Sequence, residues 1–295
     1  MRTQIRAMNG KMKHAYYSEM KSINSFSDPR IAFVKSLSKR KTAEENGCFF
    51  LEGERAVSEI PGEAGRVRML LLSSTFSENI DKQSGRFELV YGAEKSGAEI
   101  IRVSDRIFAS LTGTVTPQGI GAVVNRPDQP EPESLFREAG RLLVLENVQD
   151  PGNIGTCIRT ADAFSFDGVI CTGECADVYN PKVLRSTVGS LFHIPVIQYR
   201  HGIFRLVAAV RNAGIKVYGA DPRGSVSSTD VSFGEGRVAV VIGNEANGLS
   251  AAAKETADGL VRIPMPGRAE SLNAAIAASI LMYQLNAEKG NVSHN

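Results

Sequence analysis

The chain has 295 residues, of which 42% are hydrophobic and 22% charged, with a formal net charge of +2. This is the ordinary mix of a globular protein, and the length suits one large domain or two. No apolar run is long enough to cross a bilayer, and the basic start MRTQIRAMNGKMKHAYY lacks the apolar stretch of a secretory signal; a cytoplasmic protein without a membrane partner is expected. In that compartment Cys48, Cys157, Cys171 and Cys175 read as free thiols. Cys171 and Cys175 have no second metal-type pair beside them, so no metal is expected.

Charge is unevenly spread. Residues 1–41 hold ten Lys or Arg against Glu19 and Asp28. Such asymmetry points either to an anionic partner, usually nucleic acid, or to a solvated tail. Residues 1–27 show little periodicity and read as a loosely ordered basic extension. In DPRIAFVKSLSKRKTAEENG the spacing of Ile31, Val34 and Leu37 predicts a helix, with Asp28 as its cap before Pro29. CFFLEGERAVSEI predicts a short strand running into a helix. RMLLLSS, FELVYG and EIIRVS read as strands, and TPQGIGAVVN closes a first unit, 28–125, as another. Arg126 to Ser134, RPDQPEPES, is rich in prolines and carboxylates and reads as a linker.

From 135 to 295 strands and helices alternate. RLLVLENV, DGVICTG, IPVIQY, KVYGAD, RVAVVIGNE and GLVRIPM predict strands. IGTCIRTADAF, NPKVLRSTVGSLF, GIFRLVAAVRNAG and SLNAAIAASILMYQLNAEK predict helices, the third stopped by Gly214. Strands apolar on both faces and alternating with helices predict an α/β domain with a covered parallel sheet. Ligands of such sheets bind beyond the carboxyl ends of the strands, so those ends carry the information. They read ENVQDPGNIG, CTGECADVYNPK, GADPRGS, GNEANGLS and IPMPGRAESLN. Neither the dinucleotide fingerprint nor the phosphate loop is among them, which argues against a nucleotide site of either kind.

Asn153, placed in the loop before its helix, reads as a cap or a polar ligand. Arg159, one and a half turns further on, reads as a surface cation or as a fork for a phosphate or carboxylate. His193 before a strand reads as structural. DPGNIGTCIRTADAF, IGNEANGL and IPMPGRAESLNAAIAASILMYQL then follow in order at strand ends. Together they resemble the three signature motifs of the SpoU (TrmH-type) RNA ribose 2′-O-methyltransferases of the SPOUT superfamily. KSLSKRKTAEENGCFFLEGERAV and TPQGIGAVV resemble that family's accessory substrate-binding domain.

The resemblance implies a smaller N-terminal α/β substrate-binding domain and a C-terminal parallel-sheet domain tied in a deep trefoil knot. It implies S-adenosylmethionine as cofactor, held by three loops: Thr172–Gly173, Gly243–Gly248 with Asn244, and Ile263–Asn273. Gly243, Ile263 and Leu272 should touch the cofactor, and Met265 should line the same pocket. Arg159 should bind substrate phosphate and stabilise the developing alkoxide, with a role as base left open; Asn153 should orient Arg159 or the ribose. Glu245, Ser271 and Asn273 complete the catalytic set, Ser271 also being a standard helix cap. RNA contacts fall to Lys35, Lys39, Arg40 and Lys41, and to Lys182 and Arg185, for which surface solvation is an equal reading. The alanine-rich final helix implies a homodimer through the C-terminal domain. The expected substrate is structured RNA, ribosomal RNA ahead of tRNA. The alternatives are a non-catalytic RNA-binding protein that keeps the pocket and an enzyme that methylates a base.

Overall fold

The computed structural model describes residues 20–80, 85–230 and 236–292. The chain folds as two units, Met1–Pro127 and Asp128–Asn295. The first is built on a mixed five-stranded sheet of β1 (Lys21–Ile23), β2 (Cys48–Glu52), β3 (Val67–Ser73), β4 (Glu99–Val103) and β5 (Ile120–Asn125), ordered β1-β4-β3-β5-β2. β1 and β3 run parallel to β4, whereas β5 is antiparallel to β2 and β3. Its helices are α1 (Pro29–Ser36), α2 (Arg40–Glu45), α3 (Glu54–Ser58), α4 (Ser74–Glu78), α5 (Arg86–Lys95) and α6 (Asp105–Leu111). Asp28 caps α1 by accepting from the Arg30 N–H, and the Arg30 guanidinium holds the Asp28 carboxyl down at about 2.

The second unit carries seven strands in one all-parallel sheet, ordered β10-β12-β9-β11-β6-β7-β8. They are β6 (Arg141–Glu146), β7 (Gly168–Thr172), β8 (Val196–Tyr199), β9 (Lys216–Ala220), β10 (Val226–Ser227), β11 (Val238–Ile242) and β12 (Gly259–Arg262). Between and around them run α7 (Pro132–Glu138), α8 (Pro151–Ala163), α9 (Pro181–Thr187), α10 (Ile203–Asn212), α11 (Ala251–Thr256) and α12 (Ala274–Val292). Leu142 and Val144 pack toward α7, α10 and α11, while the alternate residues Leu143 and Leu145 are buried on the other face. That is why β11 and the stretches Leu142–Leu145 of β6 and Gly168–Cys171 of β7 carry no polar side chain: both faces are covered. At the amino-terminal edge, the Arg237 guanidinium donates to the carbonyls of Phe136, Arg137, Ala139 and Ala213, satisfying groups that the ends of α7 and α10 leave open. No helix of the described residues is long and apolar enough to cross a membrane.

Five expectations are corrected. FELVYG is not a strand but the body of α5, with Phe87 and Val90 buried one turn apart; a short apolar run does not distinguish the two states until it packs. The single helix expected from Pro29 is two, because Ser36 and Ser38 turn their hydroxyls onto the carbonyls of Phe33 and Lys35 and the chain breaks before Arg40. NPKVLRSTVGSLF likewise ends its helix at Thr187, where Val188 takes a left-handed conformation, φ 50°. Of the expected extension 1–27, residues 1–19 lie outside the described residues, and Lys21–Ile23 form an edge strand too short to show a period. The expected linker 126–134 is also more than a tether: Gln129 Oε1 accepts from the Val196 N–H at 2.9 Å, and α7 begins at Pro132.

Helix α8 reaches close to α9 through Gly155, where a β-carbon would collide with Ser186 Cβ and lie 2.9 Å from the Val183 carbonyl oxygen. Gly155→Ala is expected to push the two helices apart and destabilise the protein by about 1–3 kcal/mol. Urea unfolding measures this, and an unchanged midpoint would refute the close-packing account.

Candidate active site

The carboxyl ends of the parallel strands meet one rim of the sheet. Over β9, β11 and β12 this rim opens a cavity of about 650 Å³, a size suited to a small-molecule cofactor. Gly243 to Gly248 form one wall, Ile263 and Met265 after β12 another, and Ser271 and Leu272 before α12 a third. Asp221 and Arg223, after β9, complete it.

The Gly243–Gly248 loop folds on itself. The Asn244 and Gly248 N–H groups each donate to the other's carbonyl, at 3.0 and 2.9 Å. Asn244 Oδ1 accepts from the N–H groups of Ala246 and Asn247, and its Nδ2 donates to the Asn147 carbonyl at 2.8 Å. A β-carbon on Gly243 would collide with the backbone of Gly248 and Leu249, so closure of this loop requires glycine there.

Closure presents Glu245 to the start of α8. Its Oε1 accepts from Asn153 Nδ2 at 2.8 Å and from the Asp150 N–H at 3.2 Å; Oε2 accepts from the Gln149 N–H at 3.3 Å. Asn153 Oδ1 in turn accepts from Asn273 Nδ2 at 3.0 Å. One hydrogen-bonded relay thus joins Asn273, Asn153 and Glu245, residues from the three motifs that were separate in the sequence. Burial raises the Glu245 carboxyl, but hydrogen bonds from Asn153 and from the Glu245, Asp150 and Gln149 N–H groups outweigh it and hold the group below its ordinary value of 4.5. A carboxylate so held is a poor base and a good brace.

Three sequence expectations about this region change. Asn153 is not in a loop but in the first turn of α8, and the cap is Asp150, which accepts from the Gly152 and Asn153 N–H groups at 2.6 and 3.0 Å. Ser271 does not cap the final helix; Asn273 does, its Oδ1 accepting from the Ala275 and Ile276 N–H groups at 2.9 and 3.2 Å. Thr172 and Gly173 are not on the cavity wall: Thr172 is buried at the end of β7, and Gly173 packs on Asn147. Arg159 is exposed on α8, outside the cavity lining, with no hydrogen bond or ion pair to a described residue.

Of the expected RNA contacts, Lys182 Nζ lies 3.6 Å from Asp150 Oδ2, and Arg185 is half-buried on α9. In the first unit Lys35, Lys39, Arg40 and Lys41 are all exposed, Arg40 pairing with Glu44 at 2.9 Å and Lys41 with Glu45 at 3.9 Å. His193 Nδ1 sits 3.0 Å from Asp162 Oδ2, and burial pushes the Cys157 thiol up to about 12. The four cysteines are free and buried.

Sequence reasoning missed two buried carboxylates. Glu146, 2% exposed at the end of β6, accepts from the Ser250 hydroxyl at 2.6 Å and N–H at 3.0 Å, tying β6 to the cap of α11. Asp221, 8% exposed, pairs with Lys254 at 2.7 Å and accepts from the Arg223 N–H at 2.8 Å. Only their places at strand ends, in LEN and GAD, could have drawn attention to them.

The lowered Glu245 value sets a pH window. The brace is fully present above about pH 4.5 and is lost as pH falls through the lower folded-state value. Glu245→Gln is expected to unfold at lower urea concentration than the parent at pH 7, with the gap narrowing toward pH 3. Equal midpoints at pH 7 would show that the carboxylate does not hold the loop.

Comparison with known proteins agrees with this geometry. The SpoU rRNA Methylase family model matches residues 140–283, and the MRM3-like substrate binding domain matches 28–122. The chain is 35% identical over 266 residues, 90% of its length and 99% of the relative's, to the 23S rRNA (guanosine(2553)-2′-O)-methyltransferase RlmP of Bacillus subtilis (strain 168). It is 39% identical, over 84% of its length and 85% of the relative's, to the 23S rRNA (uridine(2479)-2′-O)-methyltransferase of Streptomyces viridochromogenes. Among solved structures, an AdoMet-bound rRNA methyltransferase from Sinorhizobium meliloti superposes with a TM-score of 0.79 at 27% identity, covering 91% of this chain and 98% of that one. With a three-motif relay at the sheet rim and relatives matching along nearly the whole length, the chain belongs to the SpoU rRNA methylase family.

Proposed function

We propose that this chain transfers the methyl group of S-adenosylmethionine to a ribose 2′-hydroxyl of 23S rRNA, in the cytoplasm. The observation that carries this reading is the Asn273–Asn153–Glu245 relay, which reaches the cavity wall at Glu245. The lining suits the cofactor: Ile263, Met265 and Leu272 offer apolar contact, and the side-chain-free Gly243 leaves backbone at the wall. When bound, the cofactor supplies an electrophilic methyl group on a sulfonium that already carries a good leaving group.

The protein's own task is then to place and activate a weakly acidic hydroxyl. Asn153 is fixed at both ends of its amide, by Glu245 and by Asn273, so it presents a rigid polar edge beside the cavity. Holding the ribose in line with the methyl group accounts for a large part of the acceleration, within the roughly 7–11 kcal/mol open to such positioning. Arg159, exposed and without a hydrogen bond or ion pair to a described residue, grips the substrate phosphate and stabilises the developing alkoxide. Because Arg159 lies outside the lining of its own chain's cavity, the site is completed in a homodimer of C-terminal domains. Ile276 and Tyr283, seven residues apart on one face of α12 and 50% and 60% exposed, support that interface. The deep trefoil knot is proposed for residues beyond β9, since α12 returns to pack on α8 and β11 after β12 has joined the far side of β9. The first unit grips RNA through Lys35, Lys39 and Lys41.

Arg159→Ala is expected to lower turnover by about 100-fold or more, with cofactor affinity by isothermal titration unchanged. Mapping ribose methylation across total RNA, with and without the protein, should reveal a modified nucleotide in 23S rRNA. A change in tRNA alone would contradict the substrate, and full activity in the variant would contradict the role of Arg159.

A further inference from the structure

The sheet rim continues past the cavity to the edge strand β8. Backbone register sets Tyr199 beside Thr172, and Thr172 beside Glu146; the neighbouring pair Leu145 and Ile242 leads directly to Gly243. Tyr199 and Gly243 are therefore three strand spacings apart on the same rim, about 14 Å, the rise of about four stacked nucleotides.

What emerges from the end of β8 is a basic and aromatic corner. Arg200, His201, Phe204 and Arg205 are all exposed, Phe204 by 63%. His201 stands edge-on to Tyr199, with ring centroids 5.4 Å apart. Some other cations of this unit are paired, Lys182 with Asp150, Arg211 with Asp258 and Lys254 with Asp221. Arg200 and Arg205 make no hydrogen bond or ion pair to a described residue. The corner is not purely basic, because Glu133 and Arg205 act on Tyr199 with opposite sign.

Two features select the partner. Phe204 is the sole large apolar side chain exposed on α10, with Arg205 beside it and exposed Ala208 one turn on. This is no apolar patch of the size that a second protein surface needs. A lone exposed ring among unpaired guanidiniums matches single-stranded nucleic acid instead, where bases stack on aromatics and arginines take phosphates.

Resting on the reading of the chain as an RNA methyltransferase, we propose that Arg200, His201, Phe204 and Arg205 form a second contact for the substrate RNA. Phe204 stacks on an unpaired base a few nucleotides from the methylated ribose, and Arg200 and Arg205 hold the phosphates beside it.

The test uses the full-length protein and a 23S rRNA transcript in filter binding across a salt series. Phe204→Ala should weaken binding by about five- to 100-fold, and Phe204→Trp should restore it. Arg200→Ala/Arg205→Ala should reduce the slope of log K against log salt by about 1.4–1.8, the share of two phosphates. Cofactor affinity by isothermal titration should be unchanged in all three. Parental affinity and slope in both alanine variants would overturn the inference while leaving the methyltransferase reading intact. A parent protein that binds no rRNA would sink that reading as well. If Phe204→Ala instead halves the sedimenting mass, the corner joins two copies of the chain and the RNA assignment is wrong.

Discussion

The site depends on one carboxylate. Glu245 sits on a loop that closes on itself, yet its oxygens receive hydrogen bonds from the backbone of Gln149 and Asp150 and from the Asn153 amide. The first two donors belong to the turn after β6 and Asn153 to the first turn of α8, whereas Glu245 follows β11. Neighbouring parallel strands place the two turns side by side, and the carboxylate locks them together. Since Asn153 is shared with Asn273, the same lock orients the start of α12.

Two further carboxylates brace the walls from beneath. Glu146 holds the cap of α11 through Ser250, and Asp221 holds Lys254 of that same helix. Helix α11 is only six residues long and could not be stable alone. Its position is imposed by these two strand-end groups together with Leu249 and Ala253 in the core. The cavity therefore has stiff polar edges and an apolar floor, an arrangement that binds a small molecule without first ordering its own loops.

Charge in the molecule is organised differently at the rim and elsewhere. Two carboxylates of the cavity wall are held, Glu245 by backbone N–H groups and the Asn153 amide and Asp221 by Lys254 and the Arg223 N–H. The exposed cations Arg159, Arg200 and Arg205 make no hydrogen bond or ion pair to a described residue. A surface of this kind attracts a polyanion over a range set by salt screening, and short contacts then fix its register.

The sequence by itself determined the parallel-sheet class with a further N-terminal domain, and it named Asn153, Glu245 and Asn273, which the structure joins by hydrogen bonds. Each of these is written in local terms: runs apolar on both faces, glycine and asparagine at strand ends, and three ordered motifs. Asn153, Glu245 and Asn273 were legible as candidates for that reason. What they do was not, because their partners are about 90 to 120 residues away in the chain. The same limit hid Asp150 as the cap of α8 and Asn273 as the cap of α12, where each motif offers two residues with suitable oxygens. FELVYG became a helix, and Thr172 and Gly173 fell away from the cavity, for a related reason. Packing against neighbours and the order of strands in the sheet decide such matters, and neither is a property of any short stretch of chain.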